Sequence, residues 1–495
     1  MSKVLGYTLL PHQKEHVQTI VDTLSRNKSV LDLSLMGRGK TFTTCYTACV
    51  LKCVMVIICP ASVETKWREM KTKFNAPVWK VISYESLRGK CGKQPKHRLL
   101  KRKDKTTNNG SVVTFSPTDD LVDATKLRNV LFVFDEVQKT KNNSAQSKAC
   151  ISMVNYAYKT KNSKVILLSG TPIDKKEQSI NILKMMGLIT SSMLVRRDNE
   201  SGLIKWYGFK KLYSVCCKED KQKTLEIEDK YNKNKTSDYP KFSYDLFIGI
   251  VLDKLSSKMP NVLESMSLNI RNRFFKCTES EKIKLKGFIG KMKFYTESLM
   301  SEGSENKINI ISNIQKCLSN IEETKIPILS RNAQMVLSTG KKVCIMVNFT
   351  NTVDVLKEKL SLYEPTVIDG RTPKNKRQQL LEAFQEDSND NMLVIANMDV
   401  LSTGVDMDDK FGNRERYVFA SPNYKTMVIQ QMTYRFLRSD TKSDTIIDFV
   451  YGDCGIEESS ILGCLSKKSC VMRDSCRDNG NNKVKYPDEY TKLIG

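Results

Sequence analysis

The chain has 495 residues, of which 40% are hydrophobic and 27% are charged. A chain of this length exceeds what one hydrophobic core usually supports, so we expect two or three domains. No apolar run approaches the length of a membrane span, and the first residues lack the pattern of a signal peptide, which favours an intracellular protein without a membrane partner.

The charge balance favours a polyanionic partner. Lys and Arg number 80 against 55 Asp and Glu, a net charge of +25. Nucleic acid is the commonest partner of so basic a protein, although lysines scattered over a solvated surface would give the same balance. Because phosphate contacts position a protein without reading bases, the charge predicts no sequence specificity.

The first 190 residues alternate short β-branched runs with helical stretches. The predicted strands are Val30–Leu35, Val54–Cys59, Val78–Ser83, Val130–Phe134 and Val165–Ser169. Such alternation is typical of a parallel sheet covered by helices on both faces. A basic, polar insertion from Lys90 to Thr118 is expected to be a surface loop, disordered in part.

A glycine-rich loop follows the first predicted strand and precedes a helix-like stretch. Its sequence is Met36-Gly37-Arg38-Gly39-Lys40-Thr41. A strand, a tight glycine turn and a helix N-terminus form a phosphate cradle, in which the lysine reaches the β- and γ-phosphates and the threonine hydroxyl sits on Mg²⁺. Ser34 departs from the full pattern, which has Gly or Ala there, and an accidental glycine-rich turn is the alternative.

Two adjacent carboxylates, Asp135 and Glu136, come directly after the fourth predicted strand. Open α/β sheets bind ligands at this end of their strands. One carboxylate can hold the Mg²⁺ water shell and the other can orient or deprotonate an attacking water. Such a pair is common by itself, but after a phosphate loop in the same block it indicates nucleotide hydrolysis.

The rest of the chain predicts a helical segment, a second α/β block and a tail. Residues 191–330 are rich in Lys and Glu with helical periodicity, and residues after 452 are weakly patterned. The strands predicted in the second block are Val343–Asn348, Thr366–Asp369, Met392–Asn397, Arg416–Ala420 and Thr445–Phe449. The predicted domains are therefore residues 1–190, 191–330, 331–452 and 453–495.

The tail also holds four of the fifteen cysteines in a loose cluster: Cys454, Cys464, Cys470 and Cys476. Their spacing lacks the paired Cys-x-x-Cys knuckles of common zinc sites, so the pattern does not favour a metal site. Without secretory context, the cysteines are expected to be free thiols.

Near the end of the second block, Gln431, Arg435 and Arg438 are spaced at i, i+4 and i+7. This spacing predicts that all three lie on one helix face. Guanidinium groups bind phosphate oxygens bidentately and can neutralise charge on a transferred phosphoryl group. A solvated basic helix face is the commoner meaning of two helical arginines, and the nucleotide loop in the first block favours phosphate binding instead.

Together these motifs resemble those of the superfamily 2 nucleic-acid-dependent ATPases, and in particular the Snf2-type branch with its virus-encoded members of the poxvirus nucleoside triphosphate phosphohydrolase type. The resemblance extends over roughly residues 9–450. Leu10-Pro11-His12-Gln13 resembles the element that places its glutamine, here Gln13, against adenine. Gln138 stands where the family's Asp-Glu-x-His box has histidine.

The resemblance implies two RecA-like parallel-sheet lobes with a helical insertion, which bind ATP and Mg²⁺ in the cleft between the lobes. The catalytic residues that it implies are Lys40, Asp135, Glu136, Arg435 and Arg438, and Gly404, Asp406 and Gln431 would also contact the nucleotide. The contacts with nucleic acid that it implies are Ser62, Tyr84, Thr171, Asn348 and Thr403.

Snf2-type proteins move along duplex DNA, and their viral members act in transcription. The resemblance therefore implies a DNA translocase, with RNA polymerase or other transcription machinery as partner, in the cytoplasm, the virion or the nucleus. An RNA helicase of the same superfamily, a non-hydrolysing scaffold subunit of a transcription complex and a small-molecule P-loop kinase are the alternatives.

Overall fold

The computed structural model describes residues 6–107, 110–190, 196–197, 204–205, 207–233, 238–260, 266–301, 307–401, 406–438, 440–477 and 485–494. The chain divides into two compact units. Unit 1 comprises residues 1–261 and 471–482, and unit 2 comprises residues 262–470 and 483–495.

Unit 1 is built on a parallel sheet. Its strands in chain order are β1 Ser29–Asp32, β2 Val54–Cys59, β3 Val78–Ser83, β4 Leu100–Thr107, β5 Gly110–Pro117, β6 Val130–Asp135, β7 Ser163–Leu168, β8 Arg196–Arg197, β9 Ile204–Lys205 and β10 Ser256–Ser257. Six of them form the sheet in the order β10-β1-β7-β6-β2-β3, and every pairing in it is parallel.

Helices cover both faces of this sheet. They are α1 Pro11–Arg26, α2 Lys40–Val50, α3 Glu64–Phe74, α4 Tyr84–Arg88, α5 Asp119–Leu127, α6 Ala145–Lys159, α7 Ser179–Met185, α8 Lys210–Glu219, α9 Lys221–Lys233, α10 Tyr239–Leu246 and α11 Leu252–Lys254. Side chains alternate between the faces of a strand, so Val56 and Ile58 of β2 join one apolar cluster whereas Met55 and Ile57 join the other.

Unit 2 has a seven-stranded parallel sheet in the order β13-β14-β12-β15-β16-β11-β17. Its strands are β11 Leu268–Phe275, β12 Lys342–Val347, β13 Thr366–Ile368, β14 Leu393–Asn397, β15 Arg416–Ala420, β16 Thr445–Gly452 and β17 Thr491–Ile494. The helices in this part of the chain are α12 Glu279–Ser301, α13 Lys307–Glu323, α14 Ile326–Leu337, α15 Thr350–Lys359, α16 Lys374–Gln385, α17 Met398–Leu401, α18 Thr426–Thr433 and α19 Ile456–Ser475.

The prediction of two parallel-sheet α/β lobes is confirmed by these two sheets. The predicted domain boundaries differ from the observed division, because helices α8 to α10 belong to unit 1 and strand β11 belongs to the sheet of unit 2. Burial alternates along strand β11, where Ile270, Asn272 and Phe274 are buried and Arg271 and Arg273 are only partly buried. Because the buried Asn272 is polar, the residue types do not show a clear two-residue period in this segment, which was predicted to be mostly helical.

Two further segments differ from the sequence prediction. The insertion expected as a surface loop forms an antiparallel hairpin of β4 and β5. The weakly patterned tail contains the 20-residue helix α19 and the strand β17, which pairs with β11. Strand β17 is ordered by residues far along the chain, so local patterning predicts it poorly. The hairpin instead pairs residues that are near one another in the chain.

Candidate functional site

The glycine-rich loop joins the end of β1 to the start of α2 in unit 1. Gly37 and Gly39 have φ angles of 78° and 87°, the left-handed region in which glycine carries no steric penalty. A Cβ atom on Gly39 would lie 2.5 Å from the Nε2 atom of Gln13, so a larger residue there would displace the flexible Gln13 side chain. Helix α2 begins at Lys40 without a side-chain cap and without an acidic residue in its first turn. Its N-terminus is therefore suited to an anion from outside the chain, as a phosphate cradle requires.

Lys40 lies across this loop. Its Nζ atom donates to the carbonyl oxygens of Ser34 at 2.7 Å and Leu35 at 3.0 Å. The buried Ser34, which departs from the usual loop pattern, uses its hydroxyl to accept a hydrogen bond from the backbone N–H of Met259 at 2.9 Å. The departure is therefore explained by a contact inside unit 1.

Gln13, at the start of α1, lies beside the loop, as its predicted role requires. Its Nε2 atom donates to the carbonyl oxygen of Arg38 at 3.3 Å, and its Oε1 atom accepts from the N–H of Leu10 at 3.1 Å. The side-chain amide is thus held in one orientation at the edge of the loop.

The acid pair lies at the carboxyl end of β6. Asp135 accepts a hydrogen bond from the indole Nε1 of Trp67 at 2.9 Å. Burial, followed by the neighbouring charge of Glu136, raises the pKa of Asp135 to about 6, whereas the Trp67 hydrogen bond and the charge of Lys40 act in the opposite direction. Two crowded carboxylates close to the loop lysine are a donor set that suits Mg²⁺, which prefers oxygen ligands.

Glu136 adopts an unusual backbone conformation. Its φ of 56° and ψ of 51° lie in the left-handed region, which residues other than glycine rarely occupy. Gln138, which replaces the family's histidine, donates from Nε2 to Oε2 of Glu136. This backbone conformation sets the direction in which the Glu136 carboxylate leaves the end of β6.

The residues of unit 1 predicted to contact nucleic acid differ in exposure. Ser62 is exposed, but Thr171 is buried and its N–H donates to the hydroxyl of Ser169 at 3.1 Å. Tyr84 is 1% exposed, and its hydroxyl donates to the carbonyl oxygen of Asp135 at 2.9 Å. The prediction for Tyr84 is corrected accordingly: its side chain is a buried link from β3 and α4 to the acid pair, because a tyrosine that follows a buried strand is drawn into the core.

A buried polar network lies beneath the loop, and the sequence analysis did not predict it. His16 of α1 contacts Oδ2 of Asp32 at 3.0 Å through Nε2 and the hydroxyl of Ser257 at 2.9 Å through Nδ1. Asp32 also accepts from the N–H of Ser34 at 2.8 Å. Contact with His16 holds the pKa of Asp32 below its ordinary value even though burial acts to raise it. The sequence feature that could have predicted this network is Asp32 itself, because a carboxylate inside an apolar strand requires a buried partner.

In unit 2 the predicted helix face is interrupted. Helix α18 ends at Thr433, Tyr434–Phe436 form a 3₁₀ turn, and Leu437 is extended, so Gln431, Arg435 and Arg438 do not share one α-helix face. The physical reason is that the N–H of Met407 donates to the carbonyl oxygen of Arg435 at 2.9 Å, so that this carbonyl serves a tertiary contact instead of a further helical turn.

Asp406 nevertheless brings the two arginines together. Its Oδ1 atom lies 3.9 Å from Nη1 of Arg435 and 2.5 Å from Nη2 of Arg438. Gln431 is buried in α18. Gly404 and Thr403 lie outside the described residues. Asp406, Arg435 and Arg438 therefore lie together, but through ion pairs and not through helical periodicity.

Asn348 follows β12 and is held by a residue that the sequence did not suggest. The buried carboxylate of Glu322 accepts from the side-chain Nδ2 of Asn348 at 2.6 Å and from its backbone N–H at 2.8 Å. The same Nδ2 donates to the carbonyl oxygen of Ser421 at 3.1 Å. Glu322 thus fixes the loop that follows β12.

Neither a metal cluster nor a membrane span is found in the part of the chain that the structure describes. No group of three or more His, Cys, Asp or Glu residues in it could hold a metal ion, the tail cysteines included. None of its helices is long and apolar enough to cross a membrane.

Comparisons with known proteins found a family model similar to part of the chain and a viral protein similar over most of it. Residues 324–439, which include Asn348, Asp406 and the two arginines, match the helicase conserved C-terminal domain. A protein of Acanthamoeba polyphaga mimivirus, named "Putative ATP-dependent RNA helicase", is 24% identical over 486 residues, which cover 94% of this chain and 83% of the relative.

Two solved structures of the Sulfolobus solfataricus SWI2/SNF2 ATPase core, one of them in complex with dsDNA, are also similar. Their identities are 14% and 15%, and the matches cover 96% and 98% of this chain and 94% and 92% of theirs. The TM-score is 0.31 for both, so neither structure is used to place residues of this chain.

Proposed function

We propose that the chain is a nucleic-acid-dependent ATPase of the superfamily 2 helicases, and that it is a Snf2-type translocase that hydrolyses ATP with Mg²⁺ to move along duplex DNA. The observation that carries the proposal is the grouping in unit 1 of the phosphate loop, its lysine and the acid pair, with the charge of Lys40 acting on Asp135. The Snf2-type assignment rests on the sequence motifs.

Within unit 1 each residue has a distinct task in the proposed reaction. Gln13 orients the base, the backbone of residues 37–41 binds the phosphates, and Lys40 exchanges its loop carbonyls for phosphate oxygens. Glu136 accepts a proton from the attacking water, and its strained backbone fixes its direction. Asp135 and Thr41 would hold Mg²⁺, which when bound neutralises charge on the phosphates and aligns them.

Unit 2 supplies the two arginines in this proposal. Arg435 and Arg438 leave their ion pairs with Asp406 and bind the phosphates in the ATP-bound state, where they stabilise the charge of the transition state. Ser62, Thr171, Asn348 and Thr403 remain proposed contacts with the phosphodiester backbone. RNA polymerase or other transcription machinery remains a proposed partner, in the cytoplasm, virion or nucleus.

An RNA substrate is the second candidate, because the mimivirus relative is named as an RNA helicase. A non-hydrolysing scaffold is the third. The scaffold is not favoured, because the chain keeps Lys40, the acid pair and both arginines.

The experiment that tests the proposal is an ATPase assay of the full chain and of Lys40→Ala. Loss of one phosphate-binding charge should lower turnover by roughly 10²- to 10³-fold. Lys71→Ala, which removes an exposed lysine on α3, is the matched control and should hydrolyse ATP at the wild-type rate. Equal rates for Lys40→Ala and the wild type would reject the loop as the catalytic site, and no hydrolysis by any of the three proteins would favour the scaffold.

A further inference from the structure

The hairpin of β4 and β5 has two chemically different faces. In its antiparallel register, Arg102 lies opposite Phe115 and Asp104 lies opposite Val113. Arg102 is buried, and Phe115 and Val113 are partly buried, so this face is turned towards the body of unit 1. The other face carries Lys101, Lys103 and Lys105, all of them exposed.

The inner face is fixed to the end of α4. The Nη1 atom of Arg102 donates to the carbonyl oxygens of Arg88 and Gly89, both at 3.1 Å. The guanidinium group also binds Asp104 through Nε at 3.0 Å and Nη2 at 2.7 Å. The carboxylate closest in sequence to the lysines is thus turned to the inner face and neutralised there.

The hairpin is also fastened along its backbone and to α6. The carbonyl of Arg102 accepts from Nε2 of Gln94 at 2.8 Å, and the hydroxyl of Ser152 on α6 donates to the carbonyl of Phe115 at 2.9 Å. A face held in this way presents its side chains in a fixed row, which lowers the entropy lost on binding.

The outer face has the charge pattern of a polyanion-binding surface. Residues two apart on a strand are about 6.6 Å apart, so the three lysines form an evenly spaced row. Their cross-strand neighbours are Ser116, Thr114 and Val112, none of which is acidic. Lys101 is paired with Asp119 at 3.2 Å, but among the described residues no carboxylate forms an ion pair with Lys103 or Lys105.

We propose that this lysine face, defined by Lys101, Lys103 and Lys105, binds the phosphodiester backbone of the nucleic acid along which the protein moves. The inference rests on the proposed function and adds a surface to it that lies outside the family motifs. Charge complementarity identifies the occupant, because the chain carries a net charge of +25 and the lysine face has no acidic member. Lysines bind phosphate as point charges, so the face holds nucleic acid without selecting a sequence.

The test measures how the affinity for nucleic acid depends on salt. The full chain and the double variant Lys103→Ala/Lys105→Ala are titrated with a mixed-sequence DNA duplex and the equivalent RNA duplex over a range of salt concentrations. Each lost phosphate contact should reduce the slope of log K against log salt concentration by roughly 0.9, and hence by roughly 1.8 for both on duplex DNA. ATP hydrolysis measured without nucleic acid should be unchanged, which also shows that the variant is folded.

Two control variants separate charge from other effects. Lys103→Arg/Lys105→Arg keeps the charge and should keep the wild-type slope. Lys71→Ala/Lys161→Ala removes the same total charge from exposed positions elsewhere in unit 1 and should also keep it. If Lys71→Ala/Lys161→Ala reduces the slope as much as Lys103→Ala/Lys105→Ala does, the inference is overturned, because the loss of total charge alone would then explain the reduction.

The outcomes distinguish this inference from the proposed function. If the wild type binds duplex DNA or RNA and the slope of Lys103→Ala/Lys105→Ala equals that of the wild type, the lysine face is not a binding surface although the proposed function stands. If the wild type binds neither duplex, the proposed function fails and the inference fails with it. A slope reduced for only one duplex supports the inference and identifies the nucleic acid bound.

Discussion

The phosphate loop of unit 1 and the arginine segment of unit 2 were both predicted from the spacing of their residues. The loop has the backbone conformation that its spacing predicts, whereas the arginine segment does not form the predicted helix face. In the loop, Gly37 and Gly39 adopt the left-handed backbone that the motif requires. In the arginine segment, the helix ends before Arg435, and Arg435 and Arg438 meet through Asp406. A motif that depends on backbone conformation can be predicted from its own few residues. The meeting of two side chains cannot, because it depends on residues that are distant in sequence.

The largest effect on ATP hydrolysis is expected from substitution of the two arginines. Arg435→Ala or Arg438→Ala should lower the ATPase rate by roughly 10³-fold, because each guanidinium is proposed to stabilise transition-state charge. The measurement is steady-state hydrolysis at saturating ATP and nucleic acid, with Arg331→Ala, an exposed arginine of α14, as the control. Wild-type rates in both variants would show that the two arginines take no part in hydrolysis and serve only to bind Asp406.

The second test sharpens the role of the strained acid in unit 1. Glu136→Gln preserves size but cannot accept a proton, so turnover should fall by roughly 10²-fold or more while ATP binding persists. Nucleotide titration and single-turnover hydrolysis separate these two effects. Turnover at the wild-type rate would exclude Glu136 as the residue that activates water.

The third test addresses the buried network beneath the loop. Asp32→Asn should lower the free energy of unfolding by about 2 kcal/mol at neutral pH, because a buried charged partner of His16 is lost. The pKa of Asp32 is lowered in the folded state, so its contribution is fully present above the ordinary aspartate value of about 4 and is lost as the pH falls through the folded-state value. The stability difference between the two proteins should therefore shrink in acid.

Denaturant unfolding at neutral and acidic pH measures this difference. Asp123→Asn, at an exposed position in α5, is the control and should change stability by less than about 0.5 kcal/mol. A difference for Asp32→Asn that stays constant or grows as the pH falls would contradict a stabilising carboxylate.

The smallest expected effect concerns the tail. Cys454 is partly buried beside an apolar cluster of unit 2, so Cys454→Ser should change stability by less than about 1 kcal/mol. Bound zinc measured in the wild type and lost in the variant would instead show that the tail cysteines form a metal site.

Much of the fold could be predicted because both sheets are built from short apolar runs that are buried on both faces, such as Val54–Cys59. Strand β11 was not predicted because it pairs with β16, more than 170 residues away, and such a contact leaves no clear signature in the local sequence. The hairpin was not predicted because it lies in a basic, polar insertion whose residue types favour a loop.

The candidate site divides in the same way. Gln13 lies near the start of α1, Lys40 at the start of α2 and Asp135 at the end of β6, positions that local patterning indicates, and their roles stay predictions. The burial of Tyr84 and the network of His16 could not be predicted, because both depend on which neighbours fill the space beside them. Sequence motifs therefore identify candidate catalytic residues better than they identify the buried residues that hold the candidate residues in position.

We propose that this chain couples ATP hydrolysis to movement along a nucleic acid, and the rate of hydrolysis with added polymer is the decisive measurement. ATPase activity of the full chain is measured alone and with duplex DNA, single-stranded DNA and RNA. We expect the rate to rise with duplex DNA more than with the other two, whereas greatest stimulation by RNA would favour an RNA helicase. A rate that none of the three polymers changes would show that hydrolysis is not coupled to nucleic acid.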